Sequence, residues 1–583
     1  MNVVRARSII AAALLLAWSV GLFGRDYWTP DEPREADLAW RMSWQADKAV
    51  PSLAGDAFCE KPPLTYWLSG ASMARFGTAG WAARLPNLLY ALITALSVGA
   101  IGRRAAGPVA GLAAAAAVGT FLLSYQTAIW LATDAPLVAA GSVALLGLHR
   151  GFYAGNGRAR LLGYGLMHAA LAMAFMAKSA AAFLVPVSAF CVLLGWERRW
   201  RELARPALYA GLVLPAAVIF TWVWFVYHGA DGAAHLRVFF WNNLVGRFAA
   251  VPAAGDLQYT AGHRNSPGKY LAELPIYLWP WTLLVLAAAH RAWRARAAVD
   301  RRDLVRFGLA ASVPALLVLS LAATARNVYL APAMPGAALL LGWWAQAAAA
   351  GPDPWDLRAI RATAGLLLVA TLAAGAACLL IGADARAAGR PIAAFSAVSA
   401  VGLGAGFALA VFAWRKAERR TFLAGLCGLF LAYCALLTGP ASQAYAEVDT
   451  WQDLGSIGRA VAVDSAGAPL LLFAPDETSR AFVDLYARRD AAVIDGPAGA
   501  AAVERLNDAI RRDPAARVLV QLPDRILSPP LQAVALRLGL DRGGTPAAVP
   551  AWITATPLRP MREYALPNGR RYVLLRVPRN SAS

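Results

Sequence analysis

Between Trp28 and Trp67 the chain reads WTPDEPREADLAWRM, a short gap, then GDAFCEKPPLTYWL, which puts Asp31, Glu32, Arg34, Glu35, Asp37, Arg41, Asp56, Glu60 and Lys61 in one loop between two long apolar segments. Carboxylates beside cations can accept a proton, orient a nucleophile or hold an anion, and charge concentrated against a membrane is costly unless it has such a task. Asp31 and Glu32 precede Pro33, which suits the first turn of a helix with acidic groups at its positive end. This pattern predicts a juxtamembrane helix from about Arg34 to Asp47, with Leu38, Met42 and Trp44 on or near its lipid side. Lys61-Pro62-Pro63 then stiffens the chain and holds an ammonium beside Glu60.

Polar residues in later apolar surroundings extend the set. Asp134, in WLATDAPL, reads alone as a helix N-cap, with Thr133 an equal candidate and Pro136 just inside the helix. Lys178, in FMAKSAAAF, reads as a lysine that snorkels to the interface. His263, in YTAGHRNSPGKYLAELPIYLWPW, is one of six histidines and stands near Arg264 and Lys269; a lone His is more often a surface or packing residue than a metal ligand. Arg326 and Tyr329, in TARNVYLAPAMP, are residue types that anchor helices at membrane interfaces. Taken together, two carboxylates, several cations and a His suggest a site that binds an anionic lipid head group and deprotonates or orients a nucleophile.

The elements that must position these residues are set by hydrophobicity. With 59% hydrophobic and 15% charged residues over 583 positions, and a mean hydropathy of +0.48, the chain is too apolar for a soluble multidomain protein and reads as a polytopic α-helical membrane protein. Apolar runs near 8–24, 81–101, 107–124, 133–148, 161–177, 179–196, 207–227, 274–290, 305–323, 330–349, 362–382, 391–414 and 421–439 make about thirteen transmembrane helices, the fourth and fifth being the weakest. The first follows MNVVRAR, lacks a small-x-small cleavage site, and reads as an uncleaved signal-like helix.

The net charge of +20 comes from Arg and Lys in short connections, such as Arg103-Arg104, Arg198-Arg199 and Arg415-Lys416, rather than from a nucleic-acid surface. With the N-terminus cytoplasmic, every basic cluster falls inside. The loops 25–80 and 228–273 and all residues after 439 then fall on the outer, periplasmic face, together with the polar residues above.

Residues 1–439 thus form a membrane domain and residues 440–583 a periplasmic α/β domain. In the latter, strands at 469–473, 491–495 and 516–522 alternate with helices near 478–488, 499–512 and 529–539. A hairpin closes it, MREYAL and RRYVLLRV around Pro567-Asn568-Gly569, the Asn-Gly pair suiting a type I′ turn. The domain has no glycine-rich phosphate loop and no His, hence no catalytic site of its own. Four of five cysteines sit in apolar runs and only Cys59 in a polar loop, so no disulfide framework or CxxC metal site is expected.

The order of these motifs resembles that of the lipid A aminoarabinose transferases, members of the membrane glycosyltransferases of C type related to protein O-mannosyltransferases. The motifs are Asp31-Glu32-Pro33-Arg34, Glu60-Lys61-Pro62-Pro63-Leu64 with Tyr66-Trp67, Thr133-Asp134, the His263 and Pro267 loop ending in Pro280-Trp281, and Tyr329-Leu330 with Pro332. The resemblance implies Asp31 as principal catalytic carboxylate and Asp134 as the second. It implies Lys61 and Tyr329 on the lipid phosphate, in a substrate-binding set that also takes Arg34, Lys269 and Arg326, and it implies Glu60 and His263 as a pair holding a divalent metal (zinc, magnesium or manganese), with no organic cofactor. The partners it implies are a polyprenyl-phosphate sugar donor and lipid A or another glycan acceptor in the bacterial inner membrane. The chain departs from the family at Glu35, where a tyrosine is common, at Lys178-Ser179, where Lys-Gly is usual, and at Arg326 and Ala331, where a lysine and a second leucine are usual.

The activity so implied is transfer of a sugar such as 4-amino-4-deoxy-L-arabinose from an undecaprenyl-phosphate donor to lipid A or another envelope acceptor at the outer face of the inner membrane. Protein O-glycosylation is the alternative within the enzyme class. A lipid or sugar flippase is the alternative outside it, although transporters usually place charge near the midplane. A noncatalytic assembly subunit is a third reading, favoured if Asp31 proves dispensable.

Overall fold

A computed structural model describes all residues except 1–2, 244, 246–265, 267, 296–302, 323–325, 388, 390–392, 490, 497–498, 523–550, 555 and 579–583. Each of the thirteen apolar runs coincides with a helical element. Among the described residues, ten helices are long and apolar enough to cross a membrane, two bent pairs raise the number to twelve, and the remaining run forms the shorter apolar helix Ala181–Trp196. At 16 residues that helix reaches only about 24 Å, less than the ~30 Å hydrocarbon thickness. The chain is a polytopic helical membrane protein. Its outward apolar side chains, such as Val369, Leu372, Leu379 and Val401, are exposed, the side a span turns to hydrocarbon.

The first half supplies most of the site. Its helices are α1 (Val3–Phe23), α2 (Asp31–Trp44), α3 (Leu64–Phe76), α4 (Gly80–Ala106), α5 (Pro108–Thr120), α6 (Leu122–Ile129), α7 (Asp134–Phe152), α8 (Gly157–Lys178) and α9 (Ala181–Trp196). The fourth and fifth runs extend to 19 and 22 helical residues, α7 and α8. These two helices touch through small residues: a Cβ at Gly163 would lie 2.3 Å from the Gly151 nitrogen. Without a hydrophobic driving force in lipid, close backbone approach supplies the contact.

The bent pairs meet at their breaks. α5 and α6 turn by 64°, and Lys269–Tyr277 turns by 108° into Thr282–Arg294. The Leu122 N–H donates to the Trp279 carbonyl (2.9 Å) and the Trp281 indole to the Thr120 hydroxyl (2.9 Å), so groups freed by one break are satisfied by the other.

The predicted juxtamembrane helix is present but its apolar side is not lipid-facing. Leu38 and Met42 are buried with Leu53, Phe58 and Tyr66, and with Ala481 and Leu485 of the C-terminal unit, while Trp44 alone of the three is exposed. The C-terminal unit and α3 cover the face that sequence assigned to lipid.

A short hairpin, β1 (Ser52–Leu53) and β2 (Asp56–Ala57), precedes α3. The remaining strands are β3 (Leu470–Phe473), β4 (Ala491–Ile494), β5 (Arg517–Gln521), β6 (Arg559–Ala565) and β7 (Arg571–Arg576), in the order β4-β3-β5-β7-β6. β3 is parallel to β4 and β5, whereas β7 is antiparallel to β5 and β6. All four β3 side chains are buried. Leu471 and Phe473 pack on one face with Leu506 and Ile510, and Leu470 and Leu472 on the other with Leu454, Val461 and Phe482, as the two-residue side-chain period requires of a central strand. The helix expected near 529–539 lies outside the described residues.

Two further features differ from expectation. The change of composition at Pro440 is not a break in the chain's structure, because helix Phe422–Trp451 runs through it. The hairpin turn is not type I′. The Gly569 N–H donates to the Leu566 carbonyl and the Leu566 N–H to the Arg570 carbonyl. Gly569 has a φ of 89° whereas Asn568 is not among the positive-φ residues. This is a three-residue loop with a left-handed glycine, and Pro567, its φ fixed near −65°, selects it by suiting the first central position of a type I turn.

Candidate functional site

The site is built on the entry to α2, which is anchored from below. Glu32, fully buried, accepts from both guanidiniums that flank it: Arg25 at 2.5 and 3.0 Å and Arg84 at 2.9 and 2.9 Å. It also accepts from the Trp28 and Leu131 backbone N–H groups at 2.9 and 2.8 Å. Burial pushes the Glu32 carboxyl up, but Arg25 and Arg84 outweigh it and hold the group at about 2. The carboxylate therefore ties together the ends of α1, α2, α4 and α6. Above, Trp28 donates to Asp449 (2.7 Å) and Thr29 to Gln452 (2.9 Å).

One helical position separates Asp31 from Glu32, about 100° of rotation, and it faces the other way. Its carboxylate is partly exposed, 3.1 Å from Arg326 and 3.4 Å from Arg34. Arg34 in turn bonds Glu35 at 2.7 Å and pairs with Glu477 of the C-terminal unit. Glu35 is buried and shared: Lys61 donates to it at 2.7 Å and the Tyr66 hydroxyl at 3.0 Å. Burial raises this carboxyl, and Lys61 and Arg34 more than reverse the effect, leaving it at about 2 and charged. Lys61 spends one of its three donors on Glu35 and is itself only partly buried.

A second group forms where α7 begins and α8 ends. Lys178 pairs with Asp134 at 2.5 Å and lies over the Tyr329 ring, 4.6 Å from its centroid. The two groups are joined by the turn entering the helical segment Asn327–Ala333. Arg326, before it, reaches Asp31, while Tyr329, one turn on, lies under Lys178. Lys61 and Tyr329 are thus connected through Glu35, Arg34, Asp31 and Arg326. Lys269 heads Lys269–Tyr277, whose Tyr270 hydroxyl donates to the Arg326 carbonyl at 2.8 Å, so it enters from the same side.

Glu60 is half-buried near Arg34 and Tyr66, which feel its charge. His263 lies outside the described residues. Among the described residues, no group of three or more His, Cys, Asp or Glu is arranged to hold a metal ion. The cysteines are free thiols.

Lys178, which reads in sequence as a snorkelling side chain, is an ion-pair partner of Asp134. Glu35, in sequence one charge of the opening loop and a departure from the family pattern, organises Arg34, Lys61 and Tyr66. Glu477 was not singled out, and nothing local could have found it, since its partner is 443 residues away. Chemically, the assembly offers a partly exposed carboxylate, Asp31, with several cations and a tyrosine close by. The basic last turns of α4 and α7, Arg103-Arg104 and His149-Arg150, lie at the opposite ends of those helices.

A family model described as dolichyl-phosphate-mannose-protein mannosyltransferase matches residues 60–225. The undecaprenyl phosphate-α-4-amino-4-deoxy-L-arabinose arabinosyl transferase of Pseudomonas aeruginosa is 29% identical over 336 residues, 58% of this chain and 58% of that relative. The chain therefore matches somewhat over half the length of that relative. The protein of the same name from Pectobacterium carotovorum is 29% identical over 444 residues, covering 75% of this chain and 76% of its own. The crystal structure of ArnT from Cupriavidus metallidurans bound to undecaprenyl phosphate superposes with a TM-score of 0.66 at 19% identity, covering 97% of both chains, a likeness of fold. The resemblance to the aminoarabinose transferases is present in sequence and in fold alike.

Proposed function

We propose that this chain is a membrane glycosyltransferase that moves a sugar from a polyprenyl-phosphate carrier to an acceptor at the outer face of the bacterial inner membrane. The observation that carries the reading is the continuous set of Asp31, Arg34, Lys61, Arg326 and Tyr329, a partly exposed carboxylate amid cations and a tyrosine. The names of the relatives support an undecaprenyl-phosphate donor carrying 4-amino-4-deoxy-L-arabinose, with lipid A as the acceptor that the family resemblance implies.

In this reading the acceptor oxygen attacks the anomeric carbon, the bond from that carbon to the carrier phosphate oxygen breaks, and the phosphate leaves with the electron pair. Lys61, Arg326 and the Tyr329 hydroxyl stabilise the departing charge. Asp31 takes the acceptor proton where there is one, and orients the acceptor where the nucleophile is already an ionised phosphate. Asp134, held by Lys178, fixes the Tyr329 side of the site. Glu60, which has no hydrogen bond or ion pair among the described residues, would with His263 hold a divalent cation, which when bound supplies positive charge near the phosphate. Activity lost on chelation and restored by zinc, magnesium or manganese would support that part, and activity indifferent to chelation would remove it.

The description of the matched family model favours one other acceptor class, a protein hydroxyl. Mass spectrometry of lipid A and of envelope proteins from cells with and without the chain separates the two. Loss of an aminoarabinose mass from lipid A supports the first reading, loss of hexose from protein the second, and no change in any envelope glycan refutes both. The orientation, N-terminus cytoplasmic and residues 440–583 periplasmic, rests on the basic connections falling on one side. A reporter fused after Ser583 and active only in the cytoplasm would contradict it.

A further inference from the structure

Arg34 is gripped from two distant parts of the chain. Its own helix supplies Glu35 and Asp31, and the C-terminal α/β unit supplies Glu477. The arginine side chain is only 6% exposed, so this is not a loose surface pair. The unit is registered on α2 around it. The Thr478 hydroxyl donates to the Pro30 carbonyl at 3.0 Å, beside Asp31, Arg480 pairs with Asp56 at 2.9 Å, and Arg41 with Asp484 at 2.7 Å. Glu477 itself is held at the start of Glu477–Phe482 by the Asp476 cap, which accepts from the Ser479 N–H at 2.7 Å and pairs with Arg570 at 2.9 Å.

We infer that Glu477 is a positioning residue of the transfer site, through which the C-terminal unit holds the Arg34 guanidinium off Asp31. The inference rests on the transferase reading above. A guanidinium presents its donors as a rigid fork, and two aligned N–H groups on one carboxylate make the strong bidentate pair. With Glu477 taking Nη1 and Glu35 taking Nη2, Arg34 stays 3.4 Å from Asp31 Oδ1, beyond a good hydrogen bond; Arg326 holds that oxygen at 3.1 Å, and the other carboxylate oxygen keeps its lone pairs for an acceptor. Without the Glu477 charge, Arg34 is free to turn its fork onto Asp31 and occupy them. The loss therefore falls on turnover rather than on donor binding, and the C-terminal unit becomes part of the machinery.

The test uses the full-length protein in detergent or liposomes with undecaprenyl-phosphate aminoarabinose as donor and lipid A as acceptor. Glu477→Gln is expected to lower kcat at least about tenfold while the donor KM stays within about threefold. Glu477→Asp keeps the charge but reaches less far and is expected to fall between. Arg480→Gln, which breaks a docking pair on the same helix, is expected to keep kcat within about twofold. Unchanged turnover in Glu477→Gln, an effect confined to KM, or an equal loss in Arg480→Gln would each overturn the inference. If the Gln variant fails to fold, a Glu477→Asp protein with wild-type unfolding temperature and wild-type kcat overturns it instead. A thermal-unfolding cycle of Glu477→Gln and Arg34→Gln reads the pair without any substrate. Coupled shifts in a wild type that transfers no sugar remove the transferase reading and the catalytic role together, whereas additive shifts remove the pair itself.

Discussion

Replacing Glu32 by Gln should destabilise this protein more than any single change on its polar surface. The carboxylate is fully buried, accepts six hydrogen bonds, and is the counter-ion of two buried guanidiniums. Gln keeps the size but removes the charge and turns an amide N–H₂ toward arginine donors. Breaking a buried ion pair by removing one partner typically costs about 3 to 5 kcal/mol. The depressed pKa of the group points the same way. Its carboxyl is held at about 2 against an ordinary 4.5, a depression worth about 3 kcal/mol. Because the folded value is the lower one, that stability is fully present above about pH 4.5 and is lost as the pH falls from there toward 2. The assay is thermal unfolding in detergent, followed by circular dichroism, for Glu32→Gln and for Glu563→Gln, a control at the exposed Glu563–Arg571 pair, where about 1 kcal/mol or less is expected. Glu32→Gln should unfold well below both wild type and control and should show a shallower acid dependence, with the share from Glu35 remaining. Equal midpoints for the two variants, or an unchanged acid profile in Glu32→Gln, would refute the reasoning, because the buried carboxylate would then not be carrying the two arginines.

Other expectations concern the chemistry. Asp31→Asn should abolish sugar transfer while leaving the unfolding temperature near wild type, since it preserves size at a partly exposed position; near-normal turnover of the purified variant would favour a noncatalytic protein. Lys61→Ala should weaken binding of undecaprenyl phosphate by about 1.5 to 3 kcal/mol, the worth of a charge-assisted contact, and an unchanged Kd by calorimetry or native mass spectrometry would take Lys61 off the phosphate. Lys178→Met should leave Asp134 buried without its counter-ion, cost about 1 to 3 kcal/mol and lower transfer, with Lys178→Arg recovering part of both. If Met and Arg variants behave alike, the charge is not what matters there.

What could be read from sequence was whatever depends on local spacing. Thirteen apolar runs become thirteen helical elements because spanning is a matter of length and hydropathy within one segment. The strands at 470–473, 491–494 and 517–521 were visible for the same reason. So was the gathering of Asp31 and Lys61 in one loop. What sequence could not settle is which charge meets which. Asp31 and Glu32 are adjacent and chemically alike, yet one is a buried staple and the other an accessible group, because helix rotation points them at different neighbours and those neighbours come from residues 84, 131 and 326. Lys178 reads as an interface anchor until α7 brings Asp134 across 44 residues. Leu38 and Met42 read as lipid-facing until Leu485 covers them. An ion pair or a buried face is a property of distance in space, and its energy depends on a burial that exists only after distant segments have packed; no spacing rule along the chain contains that distance.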